Sequence, residues 1–396
     1  MAYDFETLHS RRGTGSNKWN GMYQIHPELG DDIVPFSVAD MEFANPPQIA
    51  TGLSSYLDDT ILGYTSPTDS YYQAVVDWMD RRHNWKIEKD WIVDYPGVVP
   101  ALYHLVQAFT RPGEGVILFT PVYYPFYSAV RENGRNIVEC PLKLNGTRYE
   151  IDFDAFAQKA ADPSNKICIF CSPHNPVGRV WTEEELRRVG EICLQNNVLL
   201  IADEIHNDLI MPGHQHHVFA SLSDEFAQNS IICTAPSKTF NTAGLMTSNL
   251  IIANPALRET VKKFRTRQAI FSCNILGYRA CEIAYTQCED WLDELLVVLD
   301  RNRKLVQTFF AQHFPQVTAF ELEGTYLQWL DFRKLGLSYQ ALEKFMADEA
   351  LLFTDEGYLF GETGQGFERI NLACPTWVLE KALNRLAVAW QQHCAQ

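Results

Sequence analysis

The chain has no uninterrupted run of about eighteen apolar residues, the length a membrane-spanning helix needs. Its first twenty residues, MAYDFETLHSRRGTGSNKWN, hold neither an apolar core nor a small-residue cleavage site. Positive charge is scarce: 33 Lys and Arg stand against 49 Asp and Glu, a formal charge of -16, and basic residues adjoin only in isolated pairs such as Arg11-Arg12 and Arg81-Arg82. That balance argues against nucleic acid and anionic membrane surfaces as partners. Internal repeats, low-complexity segments and long linkers are missing as well, so the parts of the chain are expected to pack tightly. Together these absences predict a soluble cytoplasmic protein. The ten cysteines are scattered without a pairing pattern. Cys168 and Cys171 form a C-x-x-C, but KICIFCSP reads as a buried strand, where residues three apart face opposite sides. Buried reduced thiols are predicted there, not a redox or metal pair.

What the chain does have is enough apolar content, 46% of 396 residues, for a large core and two or three domains. From about residue 95, short apolar runs alternate with amphipathic stretches: GVILFTP, NIVECPL, KICIFCSP, VLLIADEIH, SIICTAPS and SNLIIANP. Helices fit the gaps. In WTEEELRRVGEICLQNN, Thr182 and Glu185 make a capping box, and Leu186, Val189 and Cys193 make one apolar stripe. In PALYHLVQAF, Pro100 takes a first-turn position and Leu102, Leu105, Val106 and Phe109 share a face. Repeated strand and helix predict an α/β fold with a mostly parallel sheet covered on both sides. After about residue 286, long helices surround short strands such as GTYLQWLDF and RINLAC, which predicts a second, smaller domain.

Three strand ends carry polar groups that could converge. CIFCSPHNPVGR runs out to Asn175, VLLIADEIHND to Asp203 and His206, and IICTAPSK to Lys238. Asn175 and Asp203 are 28 residues apart, and Asp203 and Lys238 are 35 apart. One right-handed crossover each would bring them to a single edge, where ligands of such sheets collect. An amine, a carboxylate and an amide at one edge suit an aldehyde cofactor with a ring nitrogen. The lysine would form a Schiff base, the carboxylate would keep the ring nitrogen protonated, and the amide would bond the ring hydroxyl. Taken singly these residues have plainer readings: a surface lysine, a helix-capping Asp203-Glu204 pair, and a surface salt bridge for Arg369. Tyr123, Tyr124 and Tyr127 could be core. The histidines of GHQHH, His214, His216 and His217, lack a partner ligand set and read as a solvated loop, so no metal site is expected. GETGQG at 361–366 neither follows a clear strand nor opens a helix, and reads as a flexible turn near Arg369.

Taken in order and at these spacings, SPHNPVGRVWTEEEL, IADEIHNDL and APSKTFNTAGL resemble the pyridoxal-phosphate enzymes of the aspartate aminotransferase fold, fold type I. FSVADMEFANPP and GYTSPTDSYYQAV are similar to the carbon-sulfur β-lyase branch of the cystathionine β-lyase type, and the resemblance covers nearly the whole chain. It implies a large cofactor domain at 49–286 with a mixed sheet, and a smaller α+β domain at 287–396 joined by the segment 1–48. It implies pyridoxal 5'-phosphate on Lys238, with Asp203 at the ring nitrogen, Asn175 at the ring oxygen and Tyr123 stacked on the ring. His206 stands where many aminotransferases have tyrosine. The amides of Gly97, Val98 and Val99 match a phosphate cup, a role free amides at a helix start can fill. Met246 and Ala235 replace residues that often bind the phosphate, so binding would lean on Ser237, Tyr64 and the amide cup. The resemblance also implies a homodimer, with active sites at the interface and Tyr64 reaching the neighbouring subunit's cofactor. Arg369 would grip the substrate α-carboxylate, with Asn175 beside it; guanidinium suits that bidentate task.

The activity implied is α,β-elimination of L-cystathionine or related S-substituted L-cysteines to pyruvate, ammonia and a thiol, as in amino-acid metabolism and methionine biosynthesis. Lys238 would remove the α-proton, and either Tyr64 or Tyr123 would protonate the leaving thiolate. An aminotransferase would use the same residues, and fold does not separate the two. More distant alternatives are a regulatory protein that retains the cofactor and a metal hydrolase built on the histidines.

Overall fold

The computed structural model describes residues 2–395. Its largest sheet has seven strands, in the spatial order Ile92–Tyr95, Ser248–Ile251, Ser230–Thr234, Leu199–Asp203, Asn165–Cys171, Gly115–Thr120 and Asn136–Pro141. All run parallel except Ser248–Ile251, which is antiparallel to both neighbours. The central strands are buried along their whole length, as a sheet covered on both faces requires. Along Asn165–Cys171, Ile167, Ile169 and Cys171 pack into one core and Cys168 and Phe170 into the other, the period-two alternation expected of this stretch. All ten cysteines are unpaired, and nine are buried.

Helices cover both faces. Val98–Phe109 and Pro255–Arg267 lie on one side, and Phe153–Ala160 and Glu183–Gln195 on the other. The predicted capping box is present: Thr182 Oγ1 accepts from Glu185 N at 3.2 Å, and Glu185 accepts from Thr182 N at 2.8 Å. The Val98 helix begins two residues before Pro100, so the amides of Val98 and Val99 fall in its first turn, where helical amides have no partner within the helix.

A second, antiparallel sheet of four strands follows the order Thr318–Ala319, Leu327–Asp331, Phe367–Asn371 and Asp355–Glu356. The 25-residue helix Glu289–His313 and the 19-residue helix Thr376–Cys394 pack against it. The amino-terminal segment is tied to this part of the chain. Phe36 N donates to Phe353 O at 2.7 Å, Asn371 N to Phe36 O at 2.8 Å and Glu42 N to Ala373 O at 2.8 Å. The same segment meets the residues beyond the large sheet's strands at Ala39, whose carbonyl accepts from Lys238 Nζ at 2.7 Å. Among the described residues, no helix is long and apolar enough to cross a membrane.

Two expectations are corrected here. GHQHH is not wholly a solvated loop: His216 is buried, its Nε2 lying 3.0 Å from Glu204 Oε2, because a buried carboxylate needs a charge or hydrogen-bond partner. Nor is GETGQG a loose turn. Glu362–Gly364 is a turn of 3-10 helix directly after Gly357–Phe360, and Phe360 O accepts from Tyr127 Oη and Val122 N, both at 3.0 Å. Tyr127 is core, as read; Tyr124 is exposed.

Candidate active site

Parallel register sets the site. Cys171 pairs with Asp203, and Asp203 with Cys233, so three adjacent strands end at one level. Asn175 lies four residues beyond the first end, Asp203 at the second and Lys238 four beyond the third. They line a common cavity of about 190 Å³ together with Tyr123, His206, Ser237, Val98 and Val99. Larger hollows occur elsewhere, one of about 570 Å³ beside Arg81, His214 and His216, but none of the residues predicted for the cofactor or the substrate lines it.

Each wall has a local cause. Gly97 precedes the Val98 helix with φ +104°, a conformation that favours glycine, and turns the chain so that the free first-turn amides open on the cavity. Lys238 sits in the one-turn helix Pro236–Thr239 after its strand, and its Nζ donates to Ala39 O at 2.7 Å. Ile205 N donates to Asp203 Oδ1 at 3.2 Å.

Burial governs the electrostatics. The Asp203 carboxyl is pushed up to about 7 by burial, against the Ile205 amide and the Lys238 charge, which pull it down. The Lys238 amine is brought down to about 8, again chiefly by burial; Asp40, Asp203 and Asp355 oppose the fall and Arg369 adds to it. His206 is held well below the ordinary imidazole range by burial, then by the charges of Lys238 and Arg369. Neither of its ring nitrogens has a hydrogen-bond partner among the described residues, and Nδ1 is fully buried. Burial also raises the Tyr123 hydroxyl.

Two predicted residues lie outside the cavity wall. Arg369 is buried behind Asn175: its Nη1 donates to Asn175 Oδ1 at 2.9 Å, its Nη2 pairs with Asp355, and its guanidinium lies 4.7 Å from the Phe360 ring centroid. Tyr64 is fully exposed, with Ile61 and Leu62 exposed beside it. Met246 lines the cavity with φ +45°. The reading of the residues missed Asp355, Tyr326 and the Ala39 carbonyl. Only the carboxylate of TDE, fourteen positions before Arg369, carried a signal. A backbone carbonyl has none.

This donor set fits pyridoxal phosphate. A buried amine of lowered basicity faces a buried carboxylate and a neutral imidazole with free nitrogens, and unpaired amides stand at a helix start where a phosphate binds well.

The family described as aminotransferase class I and II matches residues 31–386. The cystathionine β-lyase PatB of Bacillus subtilis strain 168 is 40% identical over 386 residues, 98% of this chain and 99% of that protein. Among solved structures, cystalysin from Treponema denticola, containing a pyridoxal 5'-phosphate cofactor, is 50% identical, with a TM-score of 0.97 over 99% of this chain and 100% of that one. A C-S lyase from Staphylococcus hominis, with bound pyridoxal phosphate and the inhibitor L-cycloserine, is 32% identical with a TM-score of 0.90, covering 98% of each chain.

Proposed function

The chain belongs to the class I and II aminotransferase family, and on that premise we propose that it is a pyridoxal-phosphate carbon-sulfur β-lyase. With one water, it cleaves L-cystathionine or related S-substituted L-cysteines to pyruvate, ammonia and a thiol, which from cystathionine is homocysteine. The observation that carries this is the meeting of Lys238, Asp203 and Asn175 in one cavity with Arg369 directly behind, in a chain similar over its full length to C-S lyases.

Lys238 would hold the cofactor, with Asp203 for its ring nitrogen, Asn175 for its ring oxygen, and Tyr123 and His206 beside the ring; the Val98 and Val99 amides and Ser237 would bind its phosphate. Bound there, pyridoxal phosphate supplies an electron-poor ring that takes up the electron pair left at the substrate Cα. The remaining work falls to the chain. Arg369 binds the α-carboxylate and so fixes which bond at Cα faces the amine. Lys238, its basicity lowered into the working range, moves the α-proton. Asp203, whose proton affinity burial raises even against the Lys238 charge, is suited to hold a proton on the ring nitrogen. Tyr123 and Tyr64 are the candidates for protonating the departing sulfur.

The finer points belong to the same reading. Exposed Tyr64, Ile61 and Leu62 support a homodimer in which Tyr64 enters the partner's site. The backbone bonds of Phe36 and Glu42 support grouping residues 1–48 with 287–396 around a large domain at 49–286. We place the enzyme in the cytoplasm and in methionine biosynthesis.

The test is incubation of the cofactor-loaded protein with L-cystathionine and no keto acid. Pyruvate and free thiol are expected in equal amounts over many turnovers. If nothing accumulates until a keto acid is added, and the amino group then moves onto it, the protein is an aminotransferase.

A further inference from the structure

Residues 38–40 form a strap held in an unfavourable conformation. Val38 has φ +55°, a left-handed conformation that is strained at a β-branched residue and persists only where its surroundings over-determine it. Here they do. Asn371 Nδ2 donates to Val38 O at 2.8 Å and to Asp40 O at 2.6 Å, and Lys18 Nζ donates to Asp40 O at 3.1 Å. The carbonyl between them, Ala39 O, accepts from Lys238 Nζ at 2.7 Å and from Tyr326 Oη at 2.9 Å.

The start of the strap is tied to the arginine. Val38 N donates to Asp355 Oδ2 at 2.9 Å, and the same oxygen accepts from Arg369 Nη2. Asp355 and Arg369 face each other across two antiparallel strands, both buried. The arginine's other partner is the neutral amide of Asn175, and its Nε has none among the described residues. One carboxylate oxygen therefore touches the guanidinium and also the strap whose next carbonyl holds the Lys238 amine.

We propose that Asp355 is a positioning residue that aims Arg369 at the substrate α-carboxylate, with the Val38 amide bracing its carboxylate from the other side. The proposal rests on the reading of Arg369 given above. The physical reason is anchoring at two points. With Nη1 on Asn175 and Nη2 on Asp355, the guanidinium plane is fixed, and its remaining N–H groups point in set directions. Without Asp355 the arginine keeps one neutral partner. The part-buried Val38 amide loses its partner as well, while Asn371, Lys18 and Tyr326 still hold the strap's carbonyls.

The test uses the cofactor-loaded protein and two probes, glycine and methylamine, which share an amine but differ in the carboxylate. Binding is followed by the change in visible absorbance of the cofactor. Asp355→Ala is expected to weaken glycine by about tenfold or more, the scale of a charge-assisted hydrogen bond, and to leave methylamine within about twofold. Asp355→Asn keeps an oxygen toward Val38 N and Arg369 and is expected to recover most of the loss. Should the alanine variant fail to fold, Asp355→Ser is compared in its place. If Asp355→Ala binds glycine as the parent does while Arg369→Ala does not, the proposal is overturned and the carboxylate reading of Arg369 stands. If Arg369→Ala also binds glycine normally, that underlying reading falls. Equal weakening of both probes means a general structural role and overturns the proposal as well.

Discussion

Before any cofactor arrives, Lys238 is a much weaker base than an ordinary lysine. Its proton affinity falls from the ordinary 10.5 to about 8, with burial as the largest cause. At pH 7.5 roughly a quarter of such amines are neutral, against about one in a thousand for an ordinary lysine, so the reactive form is enriched roughly 200-fold. The same shift corresponds to about 3 kcal/mol disfavouring the charged form. Two measurements follow on cofactor-free protein. An amine-directed reagent, read residue by residue by mass spectrometry across pH, should label Lys238 with a midpoint near 8, well below the surface lysines. Asp40→Asn removes a charge that raises the affinity and should move the midpoint lower still. A depressed affinity also means that the unfolded chain binds more protons between about pH 8 and 10.5, so stability is withheld below pH 8 and gained as pH rises through that window. Lys238→Met should therefore raise the melting temperature at pH 7 and make little difference at pH 10.5. A Lys238 midpoint near 10.5, or a methionine variant that melts lower at pH 7, would refute the reasoning.

Other outcomes are expected with it. Lys238→Ala should abolish turnover of L-cystathionine while circular dichroism stays that of the parent. Asp203 is raised from 3.8 to about 7, so the folded chain binds the extra proton and stability is lost as pH rises from about 4 through 7. Asp203→Asn should thus stabilise cofactor-free protein at pH 8 but not at pH 4, and weaken cofactor binding in a titration at either pH. Glu323 accepts from Arg179 Nε at 3.0 Å and Val180 N at 2.8 Å within the core. Its replacement by alanine leaves Arg179 Nε and Val180 N without their acceptor while Glu185 still pairs with the guanidinium, and should cost about 2 kcal/mol in urea unfolding; an unchanged midpoint would show that Glu185 alone satisfies Arg179. On the proposed dimer, Tyr64→Ala should leave the fold of the chain intact and weaken cofactor affinity, checked by light scattering and cofactor titration together.

The sequence by itself determined the architecture and most of the site. Buried parallel strands are apolar throughout, helices between them carry a 3.6-residue stripe and a capping box, and both patterns are local. Lys238, Asp203 and Asn175 were legible because each stands just beyond an apolar run, and parallel crossovers bring such ends together whatever the details of packing. Only the tertiary structure decided the rest. That His216 is buried depends on Glu204, twelve residues away in sequence and across a loop. The turn before Arg369 is firm because Tyr127, more than two hundred residues earlier, reaches Phe360. Asp355 gains meaning only where one oxygen meets both Arg369 and Val38, and the Ala39 carbonyl only where a lysine 199 residues later finds it. Backbone groups are the same at every position of a sequence, so which of them faces a reactive side chain is known only once the chain has folded.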